Sequence, residues 1–273
     1  YNTLEDLQKE KLNYDYLISG SDQIWNTTAP DFSWAYYLPF DNTKSKKVSY
    51  AASFGSIGIN NNDKDRIIKL LADYDFLSVR EEENQKILEN ELNKHVELNV
   101  DPTMLLSKKE WKNLIGESKN ELGKYILLYT LYPKKEVIEL AKKISKILEL
   151  PVVVTKFNNQ KDYFNNFIKK YNSGPIEFLQ LINNAELVIS SSFHGNIFSI
   201  LFEKPFFSIK NGKKDLRLET LLKRMELKDR IVTEENIEDR CKNAYKISFD
   251  YAKKILEEER IKSKEYLSKA LEI

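Results

Sequence analysis

The sequence predicts an α/β fold, because short apolar runs alternate with stretches of helical periodicity along the chain. Alternation of this kind produces parallel sheets with helices on both faces. The runs at 125–129 and 151–155 are continuous rather than alternating, which is typical of strands buried on both sides. We therefore predict two Rossmann-like, doubly wound domains with a cleft between them.

The elements follow from this periodicity in chain order. The predicted strands are residues 14–18, 47–51, 76–79, 96–100, 125–131, 152–155, 187–190, 206–209 and 230–232. The predicted helices are residues 63–73, 81–92, 108–115, 135–148, 176–184, 195–201, 216–226 and 248–271. The polar stretch 157–172 is interpreted as an exposed loop or a short helix.

The domain boundary is predicted after residue 116, because a new strand–helix–strand series begins at Lys124. An N-terminal domain would span 1–116, and a C-terminal domain with a long final helix would span 117–273. That helix could pack on its own domain or cross back to the first one. The chain starts at Tyr1 without a methionine, and its first strand follows almost at once. We therefore expect the N-terminal domain to be incomplete at its start.

The composition limits the classes of function. Lysine plus arginine (43) nearly cancels aspartate plus glutamate (42), so no global charge attracts nucleic acid. The single cysteine, Cys241, excludes an intrachain disulfide, and two histidines argue against a structural zinc site, so we predict no metal. No apolar run approaches the ~20 residues that span a bilayer. These features fit a cytoplasmic protein.

Two strand-to-loop junctions carry the side chains best suited to chemistry. Ligands of open α/β sheets bind beyond the carboxyl ends of strands, where small polar residues let a ligand approach the backbone. One junction contains Ser19, Gly20, Ser21, Asp22 and Gln23. The other contains Ser191, Ser192, His194 and Gly195. Because the junctions lie far apart in sequence, they are expected to form two walls of one cleft.

His194 is the strongest catalytic candidate. An imidazole exchanges protons near neutral pH, and the N–H groups of the helix expected to start at Gly195 suit a phosphate or carboxylate. Its structural alternative is a helix cap or a hydrogen bond in the core. Asp22 would act as a base or bind sugar hydroxyls, and its alternative is a capped turn.

Three cations complete the candidate set. Arg80 ends a strand and could hold a carboxylate or phosphate, unless it pairs with the acidic residues that follow it. Lys204 and Arg217 are surface charges by default, although Arg217 follows a polar loop that could lead into the cleft. GxGxxG, GxxxxGK[ST] and GxSxG are all absent from the sequence, so dinucleotide, P-loop and hydrolase functions lack support.

Several motifs in order resemble the polysaccharide pyruvyl transferase family. They are DYLISGSDQIWN at 15–26, SVRE at 78–81, DPT at 101–103, PIEFL at 175–179, SSFHG at 191–195, FSI at 198–200 and KPF at 204–206. Together the similar stretches cover roughly residues 14–232. Members of this family begin with a further strand and helix, which agrees with the expected truncation.

The resemblance implies a fold like that of the B-type glycosyltransferases. It also implies transfer of a pyruvyl group from phosphoenolpyruvate, a substrate and not a cofactor, onto two sugar hydroxyls of a cell-envelope polysaccharide or its precursor. His194 matches the family histidine and would provide acid/base catalysis or contact the phosphate. Arg80 would hold phosphoenolpyruvate, and the Asp22 junction would bind the acceptor. One family branch has arginine where this chain has Ser192, so Arg217 or Lys204 would replace that cation.

Two alternative functions remain open. One is a nucleotide-sugar-dependent glycosyltransferase, since the same architecture serves that chemistry. Another is a catalytically silent glycan-binding protein, which the Ser192 difference would suit. The acceptor could be free, nucleotide-linked, lipid-linked or polymeric. A lipid-linked acceptor would bring the protein to the inner face of the membrane.

Overall fold

The structure is a computed structural model that describes residues 4–10, 12–40, 43–117, 120–131, 134–155, 166–210 and 215–273. These residues form two compact units. The first unit comprises the described residues of Tyr1–Leu105, Lys214–Leu221 and Ile255–Ile273, and the second comprises those of Leu106–Lys213 and Leu222–Lys254.

This division differs from the predicted domains of 1–116 and 117–273. Residues 106–116 belong to the second unit, whereas residues 215–221 and 255–273 belong to the first. The end of the last helix returns to the first unit because Tyr266 is buried there and donates to the carbonyl oxygen of Ser49 at 2.7 Å.

In chain order, the helices and strands are α1 (Leu4–Gln8), β1 (Tyr16–Ser19), β2 (Lys46–Ser49), α2 (Lys64–Leu71), β3 (Ser78–Val79), α3 (Glu82–Leu92), β4 (Glu97–Leu98), α4 (Lys108–Ile115), β5 (Ile126–Tyr129), α5 (Lys135–Leu148), β6 (Val152–Val154), β7 (Ile168–Lys169), α6 (Pro175–Asn184), β8 (Leu187–Ser190), α7 (Phe193–Leu201), β9 (Phe206–Ser208), α8 (Leu216–Arg224), α9 (Ile237–Lys242) and α10 (Asp250–Leu271).

The first unit contains short parallel strands. β1 pairs with β2, and β3 pairs with β4. Single bridges, including one between Ala52 and Val79, connect the chain around β2 to β3. Trp25 lies in the apolar core, where its ring stacks on that of Tyr37 at 5.4 Å between centroids. The strands bring the loops after β1, β2 and β3 to the same edge of the unit.

The second unit contains a five-stranded parallel sheet in the order β7-β6-β5-β8-β9. Every residue of β5, β6 and β8 is buried, as the continuous apolar runs predicted. α5 supplies five buried residues to the core. The prediction of an α/β fold with parallel sheets and helices is confirmed.

Three local predictions differ from the structure. Residues 228–230 form a 3-10 turn and Ile231 makes one bridge to Ser208, where a strand at 230–232 was predicted. β7 lies within the stretch interpreted as a loop or short helix, of which residues 157–165 are outside the described residues. Both of its residues are exposed, so it leaves no apolar signal. α7 begins two residues before its predicted start at 195.

Candidate active site

Polar side chains meet in the second unit where the strand order reverses. β6 pairs with one side of β5, and β8 pairs with the other. Such a switch point opens a crevice beyond the carboxyl ends of β5 and β8, where ligands of open α/β sheets bind. Ser191 follows β8 and donates to the hydroxyl of Thr130, which follows β5, at 2.7 Å. Thr130 was not among the predicted site residues, although it follows an apolar strand just as Ser191 does.

His194 lies in the first turn of α7, next to this switch point. Ser192 is the N-cap residue, and among the residues that the structure describes its side chain makes no capping hydrogen bond. The first N–H groups of a helix lack intrahelical acceptors and carry a partial positive charge. The half-buried imidazole meets the ring of Phe193 edge-on, with 5.6 Å between centroids. The His194 ring is therefore partly exposed in the same turn as these N–H groups.

Gly195 has a packing role at this site. A Cβ atom at residue 195 would lie 2.2 Å from Oγ of Ser190 and 2.8 Å from a ring carbon of Tyr129. Only glycine lets the first turn of α7 approach the ends of β8 and β5 so closely. Gly195 was predicted to bind substrate, but the structure indicates that it positions the turn that carries His194.

The structure does not bring Lys204, which was predicted to bind substrate, to this site. It directly precedes β9, which runs parallel to β8, so it lies at the amino edge of the sheet, opposite to His194. Its charged neighbours include Glu186, which precedes β8, and Lys108 and Lys112 of the second unit. Burial lowers the pKa of Lys204, and the two lysines add to that effect, while Glu186 opposes it.

In the first unit, Ser19 at the end of β1 and Gly20 directly after it serve mainly as scaffold. The hydroxyl of Ser19 donates to the carbonyl oxygen of Tyr36 at 2.6 Å and accepts from the indole of Trp25 at 3.1 Å. A Cβ atom at Gly20 would lie 2.1 Å from the carbonyl oxygen of Tyr50. Ser19 and Gly20, predicted to bind substrate, are therefore engaged in holding the chain against its neighbours.

Asp22 is the centre of a group of charges, which we call the Asp22 cluster: Asp22, Arg80, Asp101 and Arg217. Oδ1 of Asp22 accepts from Arg80 at 2.5 Å and from Arg217 at 3.0 Å. Arg80 also donates to Asp101, and Ser21 donates to the same carboxylate oxygen at 3.3 Å. The predicted site residues Ser21, Asp22, Arg80 and Arg217 are thus together in one unit.

The residues of the Asp22 cluster differ in their exposure to solvent. The side chains of Arg80 and Asp101 are 4% and 2% exposed, whereas that of Asp22 is 36% exposed. Burial alone would lower the pKa of Arg80, but Asp101, Glu81 and Asp22 together raise it above its ordinary value. A ligand anion could bind Arg80 only by displacing a carboxylate. Asp22 is therefore the accessible carboxylate of the cluster, with Arg80 beneath it, and a contact between Arg80 and substrate stays a prediction.

A buried network supports the loop opposite Asp22. Arg217 donates to Oγ of Ser56 at 3.1 Å, so it joins the loop after β2 to Asp22. That loop is held by the fully buried Glu81, which accepts from the hydroxyl of Ser53 and from Nδ2 of Asn84 at 3.1 Å. Burial raises the pKa of Glu81 above its ordinary value, although Arg80 and these donors oppose the shift. The sequence analysis considered Glu81 only as an ion-pair partner of Arg80.

Gln23, the remaining candidate, is half-buried. Its side-chain oxygen accepts from Nδ2 of Asn26 at 3.0 Å. Within the described ranges, no group of three or more histidine, cysteine, aspartate or glutamate side chains is arranged to hold a metal ion. In the same part of the chain, none of the helices combines the length and the apolar composition that crossing a bilayer requires.

Comparison with known proteins relates this chain to one family and one fold. A family model described as polysaccharide pyruvyl transferase matches residues 1–213. No curated protein matches the chain. Solved structures of UDP-GlcNAc 2-epimerases share its fold. The enzyme from Methanocaldococcus jannaschii, in complex with UDP-GlcNAc and UDP, is 18% identical with a TM-score of 0.50, over 76% of this chain and 63% of that one.

Two further epimerases have similar scores. The enzyme from Neisseria meningitidis, bound to UDP-GlcNAc, is 13% identical with a TM-score of 0.53, over 83% of this chain and 70% of that one. A putative enzyme from Listeria monocytogenes is 11% identical with a TM-score of 0.52, over 76% of this chain and 61% of that one. The chain thus spans less than two thirds of the length of two of these three structures. They support the predicted fold of the B-type glycosyltransferases.

Proposed function

Because the chain belongs to the polysaccharide pyruvyl transferase family, we propose that it transfers the enolpyruvyl group of phosphoenolpyruvate onto two hydroxyls of a sugar in a surface polysaccharide or its precursor. The product is a pyruvate ketal, and inorganic phosphate is released. The observation that carries this proposal is His194 in the first turn of α7, beside the switch point of the second unit. The reaction would take place in the cytoplasm, or at the inner face of the membrane if the acceptor is lipid-linked.

His194 and the start of α7 suit the donor. The helix N–H groups and the hydroxyls of Ser191 and Ser192 would hold the phosphate or carboxylate. Protonated His194 would donate its proton to the methylene carbon of phosphoenolpyruvate, which becomes a methyl group. The adjacent carbon then carries positive charge and is attacked by the first sugar hydroxyl, which loses its proton. The bond from that carbon to the phosphate oxygen then breaks and phosphate departs. The second hydroxyl closes the ketal, and His194, neutral after its first step, would take the proton of that hydroxyl.

The Asp22 cluster suits the acceptor. The Asp22 carboxylate is accessible and fixed by two guanidinium groups, so it would orient the attacking hydroxyl as a hydrogen-bond acceptor or take its proton. Gln23 would provide a second polar contact for the sugar. Arg217 stands next to Asp22 and is the cation that would replace the family arginine missing at Ser192.

A second candidate function is nucleotide-sugar-dependent glycosyl transfer. The observation that favours it is the likeness to epimerase structures that were solved with UDP-GlcNAc bound. This function predicts tight binding of a nucleoside diphosphate, whereas pyruvyl transfer predicts binding of phosphoenolpyruvate. A catalytically silent glycan-binding protein would turn over neither donor.

The test is to incubate the complete protein with phosphoenolpyruvate and a panel of sugar acceptors, and to measure phosphate release and acceptor mass. We expect acceptor-dependent phosphate release with the mass gain of a ketal, both abolished in His194→Ala. His95→Ala is the matched control, because His95 is 72% exposed and lies in the first unit. Turnover of a nucleotide sugar without turnover of phosphoenolpyruvate would establish the second candidate instead.

A further inference from the structure

Asn26, which was not among the predicted site residues, is held in one orientation in the first unit. Its Oδ1 accepts from the backbone N–H of Thr28 at 3.1 Å and from the hydroxyl of Thr28 at 2.7 Å. A backbone N–H can only donate, so the atom of Asn26 that faces Thr28 is the oxygen. The amide nitrogen of Asn26, Nδ2, is therefore the atom that faces Gln23.

The orientation of Asn26 determines that of Gln23. Because Nδ2 of Asn26 is a donor and lies 3.0 Å from the side-chain amide of Gln23, the facing atom of Gln23 is its oxygen, Oε1. The nitrogen of that amide, Nε2, makes no hydrogen bond within the described residues, and it is not one of their buried polar atoms without a partner. Gln23 therefore presents a hydrogen-bond donor to a ligand.

Gln23 and Asp22 both face the loop after β2. A Cβ atom at Gly55 in this loop would lie 3.2 Å from Oε1 of Gln23, so the loop packs directly on the amide. The next residue of the loop, Ser56, accepts from Arg217, which also donates to Asp22. Two consecutive residues after β1 thus lie against two consecutive residues after β2, and all of these residues belong to the first unit.

The side chains of Asp22 and Gln23 are complementary in their hydrogen bonding. The ionised Asp22 carboxylate only accepts, whereas Nε2 of Gln23 only donates. Their Cα atoms are about 3.8 Å apart, as in any two consecutive residues, and a sugar hydroxyl both donates and accepts. Two neighbouring oxygens of one sugar therefore suit this pair, one as the donor to Asp22 and the other as the acceptor from Gln23.

We propose that Asn26 is a positioning residue for the acceptor sugar, because it holds Gln23 with Nε2 as the donor beside Asp22. The attacking hydroxyl of the sugar donates to Asp22, and a neighbouring sugar oxygen accepts from Gln23. The inference rests on the proposed function, which assigns the acceptor to the Asp22 cluster. It adds a requirement on the substrate, since a sugar without an oxygen beside the attacking hydroxyl loses the contact with Gln23.

Asn26→Asp tests this role, because it replaces a donor by an acceptor and keeps the shape of the side chain. One oxygen of the new carboxylate still accepts from Thr28, and the other faces Gln23. The amide of Gln23 is then expected to turn over, so that Nε2 donates to the new carboxylate and Oε1 faces the ligand. An acceptor then stands where the sugar oxygen needs a donor.

The full chain is titrated with methyl glycosides of glucose, galactose, mannose, N-acetylglucosamine and N-acetylmannosamine, and binding is followed by saturation-transfer NMR. The same glycosides are offered as acceptors with phosphoenolpyruvate to measure KM and kcat. Asn93→Asp is the matched control, because Asn93 is an exposed asparagine of the same unit and precedes β4, at the edge opposite to Asp22. Thermal unfolding verifies that each variant is folded.

A double-mutant cycle separates an effect through Gln23 from a general effect of the new charge. Gln23→Met removes the amide through which Asn26 acts, so Asn26→Asp should have no further effect in that background. In the wild-type background, we expect Asn26→Asp to raise Kd and KM for the glycoside about tenfold, equivalent to about 1.4 kcal/mol. The kcat and the KM for phosphoenolpyruvate should be unchanged, and Asn93→Asp should behave as the wild type does.

An unchanged Kd in Asn26→Asp overturns the inference, and so does an equal rise of Kd in the wild-type and Gln23→Met backgrounds. The absence of binding to every glycoside overturns it as well. Pyruvyl transfer by the wild type together with any of these results leaves the proposed function standing. Glycoside binding that Asn26→Asp weakens, without pyruvyl transfer, refutes the proposed function alone.

Discussion

Replacement of Arg80 by methionine tests whether this residue supports the Asp22 cluster or binds the donor. The substitution keeps most of the side-chain volume but leaves Asp101 and Glu81, 2% and 0% exposed, without their cation. Breaking a buried ion pair by removing one partner costs about 3–5 kcal/mol of unfolding free energy. We expect a loss of that size in Arg80→Met.

Arg217→Met is the matched control within the same cluster. Arg217 is 12% exposed and pairs with Asp22, which is 36% exposed, and more loosely with the buried Asp215 at 4.0 Å. Because Asp22 is partly solvated, the loss of Arg217 should cost less than that of Arg80, about 1–3 kcal/mol. Asp101→Asn added to Arg80→Met should restore about 1–3 kcal/mol, since the two residues are in direct contact.

The assay is urea unfolding followed by tryptophan fluorescence in a Trp111→Phe background. Of the three tryptophans, Trp25 and Trp34 lie in the first unit, so the signal reports on that unit alone. The loss of unfolding free energy in Arg80→Met should become smaller as pH falls from 8 to 5, because protonation of Asp101 and Glu81 removes their unpaired negative charges. A loss below about 1 kcal/mol, accompanied by a raised KM for phosphoenolpyruvate, would refute the supporting role.

Three further predictions concern other residues. Gly195→Ala should lower the unfolding free energy by about 1–3 kcal/mol, because the new Cβ atom overlaps Ser190 and Tyr129. Gly174→Ala is the control, because its new Cβ atom meets only the movable carboxylate of Glu177. Equal losses of the two variants in thermal unfolding would contradict this prediction. Glu81 has a raised pKa, so it binds a proton more tightly in the folded state, and its contribution to stability falls as pH rises above its ordinary pKa of 4.5. The difference in unfolding free energy between wild type and Glu81→Gln should therefore decrease above pH 4.5, and a constant difference would argue against the shift. Ser19→Ala should cost about 1–3 kcal/mol in chemical unfolding by leaving the indole N–H of Trp25 with one acceptor fewer, and an unchanged stability would show that Ser19 is not scaffold.

The sequence predicted the sheets well where strands are buried on both faces. β5, β6 and β8 were found because their apolar runs are continuous and turn residues bound them. β7 was missed because it is an exposed edge strand of two residues. The return of residues 255–273 to the first unit could not be predicted, since an amphipathic helix shows which face is apolar and does not show what covers it.

The strand ends in the sequence point to Asp22, Arg80 and His194 as candidates, because ligands of open α/β sheets bind at carboxyl edges. The roles of these residues stay predictions. Whether the two units bring these residues into one cleft stays a prediction. The sequence does not show that two carboxylates engage Arg80, and pairing across loops such as that of Arg217 with Ser56 is not encoded in local spacing.

The junctions after β1 and β8 have a feature in common, which affects how mutants of this family should be interpreted. At each, a Cβ atom on the glycine would overlap a neighbour: it would lie 2.1 Å from the carbonyl oxygen of Tyr50 at Gly20 and 2.2 Å from Oγ of Ser190 at Gly195. The candidate residues Asp22 and His194 lie two residues and one residue from these glycines, so a shift of either turn would displace them. Loss of activity on substitution of Gly20 or Gly195 would therefore reflect the displacement of Asp22 or His194, respectively. Contact with substrate can be assigned only by variants of Asp22 and His194 themselves, in which the scaffold is left intact.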